Sequence, residues 1–197
     1  MPGGGAEIFS SRLAKALRFT GKADGDRWCE IHGIAHCARH PDQRAPCSTA
    51  TSRPPPSGSI TCCRLRAQQD AVRRLLDLHR AALPGRGDEP RAARQRLGRR
   101  SLRTIAAARL LLDNFPHVEA YWVLLGEDTA SIALHFGADD VNGTLEDERV
   151  QHMARRQTPA GLARAQLLRI IRDAGEIPVE RDALQRACAS GIARVAA

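Results

Sequence analysis

The sequence predicts an α/β fold, an incomplete (β/α) barrel fragment that is mostly helical. Between residues 101 and 154, a helical apolar pattern, a short β-type run and further helical patterns alternate, as in the βα units of a parallel barrel. Only one or two such units are readable, which is fewer than a closed barrel needs. Segments around residues 39–64 and 84–100 are rich in Pro, Gly and Arg and lack apolar periodicity, which predicts disorder there.

The first 38 residues predict two helices. The apolar stripe of the first helix consists of Ile8, Leu13, Ala16 and Leu17. Asp26 is a plausible N-cap for the second helix. The apolar side of that second helix consists of Trp28, Ile31, Ile34 and Ala35.

The remaining elements are predicted from apolar periodicity and from helix-ending residues. Helices are expected at residues 65–83, from 102 to 115, and at 127–136, 145–154 and 162–174. Residues 120–125, with the sequence AYWVLL, predict a short strand. Gly175 is expected to end the helix before it, and Pro178 to lie near the start of another helix.

The chain of 197 residues is basic, with a net charge of +8 and a pI near 9.9, and only 4% of its residues are aromatic. Only two of its 30 basic residues are lysines. The excess of basic residues is concentrated between residues 64 and 109. A small basic nucleic-acid-binding protein, or another non-catalytic binding protein, is therefore one interpretation. The arginine bias is also typical of a GC-rich gene, and we consider a nucleic-acid partner the weaker interpretation.

Membrane and export signals are not found in the sequence. No run of about 18 apolar residues predicts a membrane-spanning helix. The N-terminus lacks the basic start and apolar stretch of a signal peptide, so a cytoplasmic location is expected. The six cysteines are then expected to be free thiols.

The loop GADDVNGT, residues 137–144, is the main candidate binding element. Asp139, Asp140 and Asn142 can bind a substrate hydroxyl or a cation through oxygen atoms. The alternative is an Asx-rich turn whose side chains cap the following helix. Glu148 and His152 are four residues apart on a predicted helix, so they can orient a carboxylate or exchange protons, or simply form a surface pair.

A cluster of Cys29, His32, His36 and Cys37 has spacings that place several side chains on one helix face, and His40 and Cys47 extend it. Structural zinc sites need paired ligand spacings, which this cluster lacks. We therefore predict no metal site.

The sequence resembles aminofutalosine synthase, a radical S-adenosylmethionine enzyme family of menaquinone biosynthesis. Two blocks carry the resemblance, residues 2–36 and 102–184. Their signatures, in order, are PGGGAE, DRW, DNFPHVEAYW, GADD-x-x-GT, the pair Glu148 and His152, and AGEIPVERD. The related cyclic futalosine and deazaflavin-pathway enzymes share PGGGAE and a similar GT loop, whereas NFPH and AYW favour aminofutalosine synthase.

The resemblance implies an enzyme that adds an adenosyl radical to an enolpyruvyl-ether benzoate, a small-molecule substrate. It implies S-adenosylmethionine and a [4Fe–4S] cluster as cofactors. Substrate- or S-adenosylmethionine-binding positions would be Gly3, Gly4, Gly5, Glu7, Asp139, Asp140, Asn142, Glu148 and His152, and the resemblance assigns no catalytic residue. The cluster needs a Cys-x3-Cys-x2-Cys motif, which this sequence lacks. The chain is therefore expected to be the C-terminal part of such an enzyme and inactive alone.

The middle of the chain has the properties of a frameshifted segment. With GC-rich codons, a one-base shift turns residues 39–44 into GIPTNA, and a two-base shift turns residues 47–63 into MLYGHLETPAERIDHLL, and both strings resemble the family. We hypothesise that residues 39–64 and 71–100 are frameshifted. The predicted domains are a helical radical-enzyme barrel fragment at 1–38, an irregular segment at 39–100 and a C-terminal barrel region at 101–197.

Overall fold

The structure, a computed structural model, describes residues 9, 24–38, 42–46, 56–73, 75–79, 91–143, 161–182 and 184–188. Most of the secondary structure in these ranges is helical, as predicted. The elements in chain order are α1 (Gly25–Cys37), β1 (Asp42–Pro46), α2 (Pro56–Val72), β2 (Leu75–His79), α3 (Arg91–Leu111), β3 (His117–Glu119), α4 (Trp122–Leu125), α5 (Glu127–Leu134) and α6 (Arg164–Asp173). None of the helices in these ranges is long and apolar enough to cross a membrane.

The three strands form a parallel sheet in the order β1-β2-β3. Helices α2 and α3 each connect one strand to the next, so the described part contains two consecutive βαβ units. Beyond β3, the chain at Asp140 makes a parallel bridge with Glu119. Alternating strands and helices are typical of α/β folds, and closure into a barrel stays a prediction.

The prediction of disorder at residues 39–64 and 84–100 was wrong where the structure describes these segments. Strand β1, helix α2 and the first half of α3 lie there. Pro56 is the first residue of α2, a position where the missing N–H of proline costs nothing. Arginine is a good helix former, which accounts for a helix in a segment without a clear apolar stripe.

The predicted helix at residues 65–83 divides into the end of α2 and strand β2. Leu75 and Leu78 are almost fully buried in β2, at 1% and 2% exposure. A short leucine-rich run fits either a strand or a helix by periodicity, because both can bury it on all sides. The predicted strand at residues 120–125 was wrong for the same reason, since β3 lies at His117–Glu119 and Trp122–Leu125 is a helical turn.

Helix α1 is capped by Asp24 and not by the predicted Asp26. The Asp24 Oδ1 atom accepts a hydrogen bond from the Arg27 N–H at 2.9 Å. Trp28 is buried as expected and stacks on the buried His32 ring at a centroid distance of 3.7 Å. Ile34, in contrast, is 63% exposed and does not belong to the core. The predicted first helix, residues 8–17, lies outside the described residues except for Phe9.

The elements around α5 and α6 confirm the prediction closely. Helix α6 ends at Asp173, and Gly175 follows with a φ of +75°, as expected for a glycine after a helix end. The predicted helix near Pro178 was wrong, since none of the described residues between 176 and 188 is helical. The chain there forms an antiparallel bridge between Arg181 and Ala187. The predicted helix at residues 145–154 lies outside the described residues.

The apolar core lies around β3 and the helices next to it. Leu65, Leu112, Ala120 and Trp122 have no measurable exposure. Full burial of a leucine side chain contributes roughly 1.5–3 kcal/mol. The core therefore fixes the position of β3. It also fixes the chain at Asp140, which forms a bridge with Glu119 of β3.

Candidate ligand-binding cavity

A cavity of about 570 Å³ lies between the loop 137–143, helix α6 and the segment 176–187. Its apolar wall includes Leu134, Ala138, Leu167, Leu168 and Ile171. Polar side chains from the loop and from the segment 176–187 form the rest of the lining. The volume and the apolar character suit a small-molecule ligand.

Asp139 connects the loop to β3 and to α3. Its Oδ1 atom accepts a hydrogen bond from the Val118 N–H at 2.7 Å and lies 2.9 Å from the Arg109 Nη2 atom. Its Oδ2 atom lies 3.1 Å from the His117 Nδ1 atom. In the backbone, the Asp139 N–H donates to the Val118 carbonyl at 3.0 Å. Asp139 therefore ties the loop to the edge of β3.

Asp140 holds the segment 176–187 against the loop. Its Oδ2 atom accepts hydrogen bonds from Arg181 Nε and Gln185 Nε2, both at 2.9 Å, and lies 2.6 Å from Arg181 Nη2. Its Oδ1 atom accepts from the Asn142 N–H at 2.6 Å, which forms an Asx-turn. The Asp140 side chain is only 8% exposed, so this is a nearly buried ion pair.

The end of the loop is held by its own side chain and by a tryptophan. Asn142 has a φ of +68°, a left-handed conformation that asparagine tolerates better than most residues. Its Oδ1 atom accepts from the Gly143 N–H at 2.8 Å. The buried indole of Trp122 donates to the Gly143 carbonyl at 3.2 Å. The fluorescence of Trp122 is therefore expected to respond to changes at this end of the cavity.

The start of the loop depends on a close approach between Gly137 and Arg109. The Arg109 Nε atom donates to the Gly137 carbonyl at 2.7 Å. A Cβ atom on Gly137 would lie 2.9 Å from the Arg109 Cβ and Cγ atoms. Glycine is required here both for the contact and for the φ of +97°.

The outer edge of the cavity is partly charged and partly apolar. Arg164 of α6 pairs with Glu180 at 2.9 Å, and both side chains are about half exposed. Ile177 and Val179 are 75% and 64% exposed. The segment 176–187 thus contributes charged contacts and exposed apolar side chains to the same edge.

The structure brings together three of the predicted site residues, Asp139, Asp140 and Asn142, in the lining of one cavity. Their contacts are those of a hydrogen-bonded turn, and binding by them stays a prediction. The other predicted positions, Gly3, Gly4, Gly5, Glu7, Glu148 and His152, lie outside the described residues.

Sequence analysis missed four residues of this arrangement, namely Arg109, His117, Arg181 and Gln185. His117 and Arg181 lie in the motifs DNFPHVEAYW and AGEIPVERD. These motifs carried the family resemblance, but it assigned no role to either residue. Arg109 and Gln185 gave none, because their partners are 28 and 45 residues away in the chain.

Several of the arginines that the structure describes form ion pairs with acidic side chains. Arg64 pairs with Asp26 at 2.9 Å, and Arg66 pairs with Asp113. Arg109 and Arg181 pair with the two loop aspartates. The pairs of Arg64, Arg66 and Arg109 reduce the positive charge that the region 64–109 presents to a phosphate backbone.

The part of the chain that contains this cavity matches a known family model. Residues 91–188, which include every described lining residue, match the model of the CofH/MqnC C-terminal region. The match begins at the start of α3, within the segment that was predicted to be irregular.

The chain is aminodeoxyfutalosine synthase-like over nearly its whole length. It is 41% identical over 199 residues to aminodeoxyfutalosine synthase of Thermus thermophilus, covering 94% of this chain and 50% of the relative. It is 33% identical over 197 residues to the protein of the same name from Streptomyces coelicolor, covering 92% and 49%. Cyclic dehypoxanthine futalosine synthase of Streptomyces coelicolor is 30% identical over 183 residues, covering 91% and 44%. The chain spans about half the length of these relatives.

Proposed function

We propose that this chain is the substrate-side, C-terminal part of a radical S-adenosylmethionine enzyme of the aminodeoxyfutalosine synthase type, acting in menaquinone biosynthesis. The similarity to the Thermus thermophilus relative across 94% of the chain carries this proposal. The intact enzyme would add an adenosyl radical to an enolpyruvyl-ether benzoate.

The residues of this chain do not fit the iron–sulfur cluster of that reaction. The sequence contains no Cys-x3-Cys-x2-Cys motif. In the part of the chain that the structure describes, no group of three His, Cys, Asp or Glu side chains is arranged to hold a metal ion. We therefore assign the cluster to the other half of the intact enzyme and expect no turnover from this chain alone.

The cavity is the best candidate for the substrate-side role of the described residues. Its apolar wall of Leu167, Leu168 and Ile171 suits one face of a benzoate ring. Polar groups of the loop, among them Asn142, lie at the other side and suit oxygen atoms of a ligand. The carboxylates of Asp139 and Asp140 act in this proposal mainly by fixing the loop, because each is already bound to an arginine.

A frameshift within the middle of the chain accounts for the composition of β1. Strands of parallel sheets are usually rich in Val, Ile and Leu because both faces are covered. Strand β1 instead has the sequence DQRAP, although it pairs in parallel with β2. Since the family match begins at residue 91, we now limit the proposed shifts to residues 39–64 and 71–90.

Substrate binding and turnover by the purified chain test the proposed function. The variant Trp28→Phe leaves Trp122 as the only tryptophan, next to the loop. We expect saturable quenching of its fluorescence by the enolpyruvyl-ether benzoate. We also expect no cluster absorbance and no aminofutalosine after anaerobic incubation with iron, sulfide and S-adenosylmethionine.

Two results would contradict the proposal in different ways. Formation of aminofutalosine by this chain alone would show that it is not a cluster-free half. Absence of quenching in a folded Trp28→Phe variant, confirmed by direct calorimetry on the unmodified chain, would remove the substrate-side role.

A further inference from the structure

His117 and Asp139 form a hydrogen-bonded pair in the wall of the cavity. The His117 Nδ1 atom lies 3.1 Å from the Asp139 Oδ2 atom, and both residues line the cavity. Their side chains are 33% and 41% exposed, so the pair is accessible from the cavity and not sealed in the core.

The orientation of the pair is fixed from two sides. The second carboxylate oxygen of Asp139 is held by the Val118 N–H at 2.7 Å and by Arg109 at 2.9 Å. Val118 is buried in β3, and Arg109 is itself held by the Gly137 carbonyl. The carboxylate therefore cannot turn away from His117 without breaking contacts to the sheet and to α3.

This arrangement determines which ring nitrogen can meet a ligand. An ionised carboxylate only accepts hydrogen bonds, so the His117 Nδ1 atom is the donor toward Asp139. In a neutral ring the Nε2 atom then carries the lone pair and acts as an acceptor. Among the described residues, only Asp139 is hydrogen-bonded to the His117 ring. Nε2 thus has no hydrogen bond to a described residue, and it is the ring nitrogen left for a ligand.

We propose that His117 recognises the hydroxyl group of a small, partly apolar ligand in this cavity, with Asp139 as the positioning residue. The ligand O–H donates to Nε2, and the apolar wall around Leu167, Leu168 and Ile171 contacts the rest of the ligand. No proton needs to move, because one neutral hydrogen bond forms between donor and acceptor.

Charged groups around the pair are compatible with a neutral hydroxyl. Arg109 faces Asp139 from α3, and Arg181 faces Asp140 from the segment 176–187. Arg164 and Glu180 pair at the edge, and Glu176 lies nearby in the lining. Three of these four acids, Asp139, Asp140 and Glu180, are paired with arginines. This recognition rests on the proposed function, because it takes place in the cavity assigned there to the substrate.

A pair of probes that differ in one donor group tests the proposal. Binding of 3-hydroxybenzoate and 3-methoxybenzoate to the full chain is measured by calorimetry. We expect the hydroxyl compound to bind about three- to ten-fold more tightly, the range that one net hydrogen bond gives. The variant His117→Phe is expected to bind both probes equally, whereas His117→Gln keeps an acceptor and part of the preference. His135→Phe is the matched control, because His135 is exposed and lies outside the lining.

The role of Asp139 has its own readout. Nitrogen-15 NMR of the His117 ring is expected to show the Nδ1-protonated tautomer in the natural chain and a loss of that preference in Asp139→Asn. Equal affinity for the two probes, no binding of either, or a preference that survives in His117→Phe would overturn the proposal. Because His117→Phe and His117→Gln leave Asp139 and its contacts to β3 in place, the test does not depend on the Asp139→Asn variant folding.

Discussion

The Oδ2 atom of Asp140 accepts a hydrogen bond from Arg181 Nε at 2.9 Å and lies 2.6 Å from Arg181 Nη2, across 41 residues of chain. The two side chains are 8% and 21% exposed. Through this contact the segment 176–187 is attached to the loop that follows β3. The cavity exists only while these two pieces of chain stay together.

Removal of one partner of this pair is expected to be costly. Arg181→Leu leaves the Asp140 carboxylate nearly buried with Gln185 as its remaining side-chain partner. Breaking such a pair destabilises a protein by about 3 kcal/mol, and the exposure of Arg181 favours the lower end of the known range. Urea unfolding followed by far-UV circular dichroism measures the change in free energy.

The exposed pair Arg164–Glu180 is the matched control, because it joins α6 to the same segment. Arg164→Leu is expected to cost less than about 1 kcal/mol, since both side chains are about half exposed. Equal effects of Arg164→Leu and Arg181→Leu would show that burial of the Asp140 contact is not what stabilises the segment.

Gly137 is expected to tolerate substitution poorly. Gly137→Ala adds a Cβ atom 2.9 Å from two Arg109 atoms, in a backbone conformation with φ +97°. Gly126→Ala shares the positive φ, at +82°, but meets no atom within 4 Å, so its cost of about 1–3 kcal/mol comes from the backbone conformation alone. Thermal unfolding should rank Gly137→Ala as more damaging than Gly126→Ala, with Gly143→Ala the mildest. A Gly137→Ala midpoint equal to that of Gly126→Ala would remove the role of the Arg109 contact.

The pKa of Asp113 is lowered by its hydrogen bond from Arg66, so this carboxyl should titrate below the usual range of aspartate. A lowered folded-state pKa stabilises the fold above the pKa of the unfolded chain, and this contribution is lost as the pH falls through the folded pKa. Arg66→Met should move the titration of Asp113 back toward its ordinary value. Carboxyl carbon NMR over an acid titration measures this.

Asp182 provides the internal reference for that titration. The pKa of its carboxyl is lowered mainly by the backbone N–H of Arg186, with a further contribution from that of Leu184. Arg66 does not contribute to it, so Asp182 should titrate unchanged in Arg66→Met. Identical titration of Asp113 with and without the Arg66 guanidinium would contradict the assigned cause.

Gln69 is a buried polar residue that connects α2, β2 and the turn before β3. Its side chain donates to the Leu75 and Asn114 carbonyls at 2.9 and 3.0 Å and accepts from the Leu75 N–H at 2.9 Å. Gln69→Leu leaves these buried backbone groups unpaired and should cost about 1–3 kcal/mol. Denaturant unfolding measures the loss, with Gln68→Leu as the control, because Gln68 is only half-buried and makes one bond to the Cys29 carbonyl. A Gln69→Leu effect no larger than that of Gln68→Leu would contradict this role.

Sequence analysis predicted the helices well where one face is polar and one is buried. Helix α6 has Leu167 and Ile170 buried on one side, and its end at Asp173 was predicted within one residue. Sequence analysis failed where burial is nearly complete, as at Trp122 and Val123, because an apolar run then fits a strand or a helix equally well. It also failed in the Arg- and Pro-rich middle, where pairing with neighbours and not composition determines β1.

The candidate cavity was predictable only in part. The loop aspartates were found because acidic residues and glycines between apolar segments are visible in the sequence. Their partners Arg109 and Arg181 come from distant elements, and no local pattern indicates such pairs. Residue types therefore identified the loop from the sequence. That the loop connects β3 to the segment 176–187 could be seen only in the structure.

Sequencing of the gene decides whether this chain is one half of an aminodeoxyfutalosine synthase-like enzyme with shifted frames in its middle. Independent reads should cover residues 39–90 and an upstream stretch about as long as the coding sequence of this chain. We expect an upstream Cys-x3-Cys-x2-Cys motif and base insertions or deletions that restore family-like sequence such as GIPTNA. An uninterrupted frame through residues 39–90, with no cysteine motif upstream, would contradict both expectations.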